Sequence, residues 1–204
     1  MGGREWQWES ERSMDSLFMT ERIIVSRPSL QSLADKHDLH ASQKRAAQRE
    51  AKVAKEWGDL SENAEYKASK EKFRLAGRIQ QRLVRELKKL EDTGYEVVDP
   101  LDWVRGGSSV GRVAVGTVAR VQQGGFTEDY LVVGAKDQDL PLDRSVLPLP
   151  YTSPLGQALY GLAAPRVVEA VIAGERRVLR LESVRPPTLE EVLALYPELT
   201  PQNG

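Results

Sequence analysis

Residues 66–90 carry a helical repeat that leaves this 204-residue chain few ways to fold. Mostly small or apolar residues recur at alternating steps of three and four: Tyr66, Ser69, Phe73, Ala76, Gln80, Leu83, Leu87 and Leu90. This is the a/d spacing of a coiled-coil seam, and charged residues dominate the positions between. The repeat predicts a helix over residues 59–90 that is about 48 Å long.

A second seam with the same spacing lies upstream. It is formed by Leu30, Leu33, His37, His40, Lys44, Ala47, Ala51 and Ala54. Alanine favours helix and lets a partner helix approach closely, but the middle of this seam is polar. An alternative register places Leu39, Ala46 and Val53 at the helix contact instead.

The two repeats meet at residues 57–62, where the sequence WGDLSE is typical of a helix end followed by a helix start. Gly58 suits the left-handed residue that follows a helix. Asp59, with Glu62 three residues later, fits a capping box. We therefore expect an antiparallel helical hairpin with a tight tip.

The chain changes character after residue 93, where Gly, Pro and Val become frequent. Strands are predicted at residues 113–121, 130–133, 166–172 and 176–184, with a helix of about seven residues after the N-cap Ser153. The predicted fold class is therefore α+β: an N-terminal antiparallel helical hairpin (coiled coil) over residues 21–93 and a small α+β domain over residues 94–185. Residues 1–20 are expected to form a disordered extension, in which Met19 is an alternative start. Residues 186–204 are expected to form a tail with a short helix capped at Thr188.

The formal net charge of −1 conceals an uneven distribution. Residues 21–92 contain 17 Lys/Arg and 12 Asp/Glu, whereas residues 93–204 contain 10 and 14. A basic hairpin suits a partner that carries phosphate. The chain has no cysteine, which excludes disulfides, zinc ribbons and a cysteine nucleophile. No apolar run approaches the roughly 20 residues of a membrane span, so we expect a cytoplasmic protein.

Asp59 and Glu62 share one face at the tip of the expected hairpin. They either only cap the helix and complement its dipole, or they present two oxygen ligands to a hard cation such as Mg²⁺. In the second case, a partner would have to supply the other ligands. Lysines on both sides of the tip fit either a solvated helix face or a strip of phosphate contacts. His37 and His40 could share a metal ion, although exposed or seam histidines are the simpler interpretation.

Two stretches carry a family resemblance. The sequence GDLSENAEY at residues 58–66, within a Lys-rich hairpin, resembles the tip motif of the bacterial transcript-cleavage factors GreA and GreB. The sequence SPLGQALYG at residues 153–161 is similar to part of that family's C-terminal domain. The resemblance covers residues 28–185, or 158 of 204 residues. It implies an FKBP-like fold for the second domain, without implying prolyl isomerase activity.

The resemblance also implies a function as a transcription elongation factor that is not itself an enzyme and has no cofactor of its own. In the family, the hairpin enters the secondary channel of bacterial RNA polymerase. The tip acids help to hold the second Mg²⁺ of the polymerase active site, so that a backtracked transcript is cut by two-metal hydrolysis. By position, Asp59 and Glu62 would be the catalytic, metal-directed pair, and Lys55 and Lys70 would contact the RNA near its 3′ end. Neither a membrane nor a small-molecule substrate is implied.

Two other functions remain open at the level of sequence. One is a Gre-like paralogue that binds the polymerase channel and inhibits or modulates transcription without stimulating cleavage. The other is a prolyl isomerase or chaperone based on the FKBP-like half. A zinc-finger channel regulator of the DksA type is excluded in its cysteine-ligated form, because the chain has no cysteine.

Overall fold

The computed structural model describes residues 22–56, 64–105, 111–137, 140–141 and 145–201. The predicted extension at residues 1–20 lies outside the described residues. In the described part, no helix is apolar over a stretch long enough to cross a membrane.

Two helices of 30 residues form the predicted antiparallel hairpin: α1 at Arg27–Glu56 and α2 at Ala64–Thr93. All eight positions of each predicted seam are buried or half-buried, which confirms the first register. Leu39 and Val53 of the alternative register are about half exposed, so that register is wrong. Since the chosen seam follows the 3.5-residue repeat on both helices, each buried row faces the other.

A small parallel sheet closes the base of the hairpin. Strand β1 (Ile23–Ser26) leads into α1, and strand β2 (Tyr95–Val98) follows α2 after a turn at Gly94, whose φ is +78°. The two strands pair in parallel along their whole length. A short helix, α3 (Pro100–Val104), follows with Asp99 as its N-cap. None of these three elements is predicted by the sequence patterns.

The second domain is built on a five-stranded sheet. Its strands are β3 (Val118–Gln123), β4 (Phe126–Val133), β5 (Leu147–Pro150), β6 (Arg166–Ile172) and β7 (Glu175–Arg185), in the spatial order β5-β4-β3-β7-β6. All neighbours are antiparallel except the β4 and β5 pair. The α+β class is confirmed, and the observed β6 has the predicted bounds.

The predicted strand at residues 113–121 is wrong in its first half, since β3 begins at Val118. Gly116 has a φ of +85°, a conformation that interrupts an extended strand. Val113, three residues earlier, lies outside the strand but is fully buried in the hydrophobic core. Its main chain forms hydrogen bonds with Gly161 and Leu162 beyond the sheet. In residues 113–117, the apolar pattern therefore predicted the burial of Val113 correctly but the strand incorrectly.

Successive side chains of a strand point to opposite faces of the sheet. In this domain, helices cover both faces. Helix α4 (Pro154–Leu159), N-capped by Ser153 as predicted, covers the face that includes Val132. Helices α3 and α5 (Leu189–Leu195) cover the face that includes Leu131. The predicted tail helix is thus observed, with a capping box between Thr188 and Glu191, and it completes a hydrophobic core. A 3-10 turn at Pro197–Leu199 follows it.

Candidate functional site

The tip of the hairpin lies between Glu56, the last residue of α1, and Ala64, the first residue of α2. Asp59 and Glu62 fall in residues 57–63, outside the described residues, so the capping box and the metal-directed pair stay predictions. The described residues that flank this segment, Glu56 and Ala64, lie at one end of the rod that the antiparallel helices α1 and α2 form. This end is farthest from the sheet domain, which joins the other end of the hairpin.

Four exposed lysines lie on the last turns of α1 and the first turns of α2: Lys52, Lys55, Lys67 and Lys70. Among the residues that the structure describes, no carboxylate lies within ion-pair distance of these lysines. Lys70 Nζ lies 5.7 Å from the centroid of the Tyr66 ring, within cation–π range. Four exposed positive charges in these turns suit a phosphate-bearing partner near the tip.

Three basic residues farther along α2 lie in ion pairs. Lys72 Nζ lies 3.4 Å from Glu50 Oε2, across the two helices. Arg74 and Arg78 both face Glu71, with Arg78 Nη2 at 3.3 Å from Glu71 Oε1. Exposed pairs of this kind contribute at most about 1 kcal/mol each to stability, but they offset local charge. These pairs offset the charge of Lys72, Arg74 and Arg78, whereas the four lysines nearest the tip have no such pair among the described residues.

The two histidines occupy half-buried seam positions of α1. His37 Nδ1 lies 3.0 Å from Asp38 Oδ1, and His40 Nδ1 lies 2.9 Å from Gln43 Oε1. Over the described ranges, no group of three or more His, Asp or Glu side chains could hold a metal ion. The half-buried positions of both residues in the seam fit their interpretation as seam histidines.

The opposite end of the rod is fixed to the sheet domain by a hydrogen-bonded joint that the sequence patterns do not reveal. The N–H of Ala135 donates to the carbonyl oxygen of Ile24 at 2.9 Å, and the N–H of Ile24 donates to the hydroxyl of Tyr151 at 3.1 Å. The hydroxyl of Ser26 donates to Asp137 Oδ1 at 2.5 Å. We call this set the hairpin joint. Its partners are more than 100 residues apart in sequence, so no local signal could have identified them.

Known proteins match both parts of the chain. The family model GreA_GreB_N, described as "Transcription elongation factor, N-terminal", matches residues 23–93. Transcription elongation factor GreA of Paracoccus denitrificans is 33% identical over 168 residues, which are 81% of this chain and 98% of that protein. The GreA of Lachnoclostridium phytofermentans is 30% identical over 76% of this chain and 89% of its own length. The crystal structure of the GreA factor homolog Gfh1 of Thermus thermophilus aligns with 81% of this chain and 99% of its own, at 16% identity and a TM-score of 0.31.

Full-length relatives at this identity define the class of protein as a transcription elongation factor. More narrowly, the chain belongs to the GreA/GreB family. The helical hairpin followed by an α+β domain is the architecture that the family resemblance implied.

Proposed function

We propose that this elongation factor inserts its hairpin into the secondary channel of RNA polymerase and stimulates cleavage of backtracked transcripts by the polymerase active site. The observation that carries the proposal is the sequence GDLSENAEY at residues 58–66, which follows α1, runs into the first residues of α2 and lies within the family-matched residues 23–93. A rod of 30-residue helices is about 45 Å long, which suits a device that reaches a buried site from outside.

In this proposal, Asp59 and Glu62 direct the second Mg²⁺ of the polymerase. Carboxylate oxygens are the ligands that Mg²⁺ prefers, and Mg²⁺ commonly binds only one or two protein carboxylates besides water and phosphate. Two carboxylates at a narrow tip therefore suit a shared site in which the polymerase and the transcript provide the other ligands. The metal would supply charge stabilisation to the entering and leaving oxygens of phosphodiester hydrolysis.

Lys55 and Lys70 would contact the extruded RNA. Both side chains are exposed near the tip, and neither lies within ion-pair distance of a carboxylate in the described residues. Each neutralised phosphate of a single strand contributes to the salt dependence of binding. The family resemblance implies that the second domain docks on the polymerase at the base of the hairpin, and these lysines would then orient the transcript.

The proposal is tested by transcript cleavage in stalled, backtracked polymerase complexes. We expect Asp59→Ala and Glu62→Ala each to lower the stimulated cleavage rate on the order of 100-fold, a typical loss when one transition-state contact is removed. Lys55→Ala and Lys70→Ala should raise the half-saturating factor concentration and weaken its salt dependence. Lys88→Ala, an exposed lysine near the base of the rod, is the matched control and should behave as wild type.

A competition assay, in which the protein displaces a channel-binding competitor from the polymerase, distinguishes the remaining outcomes. If the wild type displaces a channel-binding competitor but does not stimulate cleavage, the protein is a modulating paralogue and the cleavage proposal fails. If both tip variants cleave at the wild-type rate, the tip mechanism is wrong even though the protein is a cleavage factor.

A further inference from the structure

The carboxylate of Asp137 is buried where strand β1 passes into helix α1. Asp137 lies in the turn that follows β4, is only 1% exposed, and accepts hydrogen bonds at Oδ1 from the hydroxyls of Ser26 and Ser29. The hydroxyl of Ser26 in turn accepts the N–H of Ser29 at 3.3 Å. An acidic group at a helix N-terminus also complements the helix dipole. A residue of the sheet domain thus binds the first turn of the hairpin.

Packing also holds this carboxylate in place. A Cβ on Gly134 would lie 2.5 Å from Asp137 Oδ2 and 3.0 Å from the backbone nitrogen of Ser26, so no side chain fits there. Tyr196, the residue that directly follows α5, lies beside the group: burial raises the pKa of its hydroxyl, and the charge of Asp137 raises it further. The Asp137 side chain is therefore enclosed by the hairpin, the β4 turn and the C-terminal segment together.

Small changes at this joint become large at the tip because the rod is long. The 30-residue helices span about 45 Å, so a tilt of about 5° at the base moves the tip by about 4 Å. A misplacement of about 1 Å can lower a catalytic rate on the order of 100-fold. Acids carried at the end of such a rod need a base that fixes one direction.

We propose that Asp137 is a positioning residue that sets the direction of the hairpin relative to the sheet domain and so delivers the tip acids to their target. It acts through Ser26 and Ser29 and does not itself contact RNA or metal. The functional consequence rests on the proposed cleavage function, whereas the direction of the rod is a property of the isolated protein.

The absence of cysteine makes the direction directly measurable. Spin labels at Lys67→Cys near the tip and Glu169→Cys on β6, both exposed positions, report the distance between the rod and the sheet domain. We expect one narrow distance distribution for the wild type and a distribution shifted or broadened by about 4 Å or more for Asp137→Ala. Asp102→Asn, an exposed acid on α3, is the control and should leave the distribution unchanged.

Cleavage kinetics provide the second measurement. Loss of direction should lower the maximal stimulated rate by about tenfold or more, while the half-saturating concentration stays within about threefold, because docking through the sheet domain is intact. A general loss of stability would instead raise the apparent half-saturating concentration as the folded fraction falls, and it would leave the maximal rate at saturation unchanged. If the wild type stimulates no cleavage, the proposed function fails, but the distance measurement still decides the role of Asp137.

Two further variants keep the test decisive if Asp137→Ala does not fold. Ser29→Ala removes one donor from the half-buried edge of the cluster, and Asp137→Asn keeps the shape but removes the charge. Both should broaden the distance distribution less than Asp137→Ala, because each leaves part of the hydrogen bonding between Asp137 and the hairpin in place. Wild-type distance distributions in every folded variant would overturn the proposal.

Discussion

Replacing Leu195 with alanine tests whether the C-terminal helix is part of the hydrophobic core. Leu195 is fully buried on α5 and packs in a cluster with Trp103, Leu131 and Val146. Leu→Ala changes in packed cores remove about 2–5 kcal/mol of stability, because the lost transfer free energy is joined by a cavity. Since Leu195 lies at the end of a short helix, where neighbours relax more easily, we expect about 2–4 kcal/mol.

Leu189→Ala on the same helix is the matched control. Leu189 is 50% exposed, so its truncation opens no enclosed cavity and should lower stability by about 1 kcal/mol or less. The difference in helix propensity between leucine and alanine is small and is shared by both variants. The difference in stability between the two variants therefore reports the contribution of the burial of Leu195.

Urea unfolding followed by circular dichroism measures both variants. A loss of about 2–4 kcal/mol should lower the midpoint by roughly 1–2 M if the slope is that of an ordinary domain. If the slope of the free energy of unfolding against urea concentration is the same in both variants, their midpoints can be compared by a two-state analysis. Equal midpoints for the two variants would refute the assignment of α5 to the core and would make residues 186–204 a dispensable tail.

The remaining predictions concern pH and the helical seam. Burial by itself raises the pKa of Glu191, but hydrogen bonds from Arg185 and Thr188 outweigh it and leave the pKa below its ordinary value. The ionised Glu191 therefore contributes fully to stability above about pH 4.5, and this contribution is lost as the pH falls through the folded-state pKa. Glu191→Gln should make the free energy of unfolding less dependent on pH in the acid range. An unchanged dependence would contradict this. In the seam, Leu83→Ala should remove about 2–3 kcal/mol, whereas Val84→Ala on the exposed side should remove less than about 1 kcal/mol, as measured by urea unfolding. A larger loss at Val84 would show that the register is wrong.

The predictable parts of this fold are those whose signals repeat or lie close together in sequence. The seam repeats over about seven turns, and the Ser153 and Thr188 caps depend on neighbours three residues away. The β1 and β2 pair has only four residues in each strand, separated by the whole hairpin, so periodicity cannot reveal it. Asp137 stands in a polar stretch that is typical of an exposed turn, and only the tertiary structure buries it. The tip acids could be nominated from sequence, but their geometry stays a prediction.

The apolar packing between α1 and α2 is greater near the base of the rod than near the tip. This difference explains why the base determines the direction of the rod. The buried seam residues near the base are Leu83 and Leu90, whereas those near the tip are the smaller Ala54 and Ser69. Between them, Lys44 extends over the Phe73 ring at 5.5 Å, a contact that buries little apolar surface. Apolar stabilisation scales with the area buried, so the tip half is held more weakly than the base half. The described turns nearest the tip are then the weaker part of the hairpin, while the leucines and the Asp137 cluster at the base keep the axis of the rod fixed.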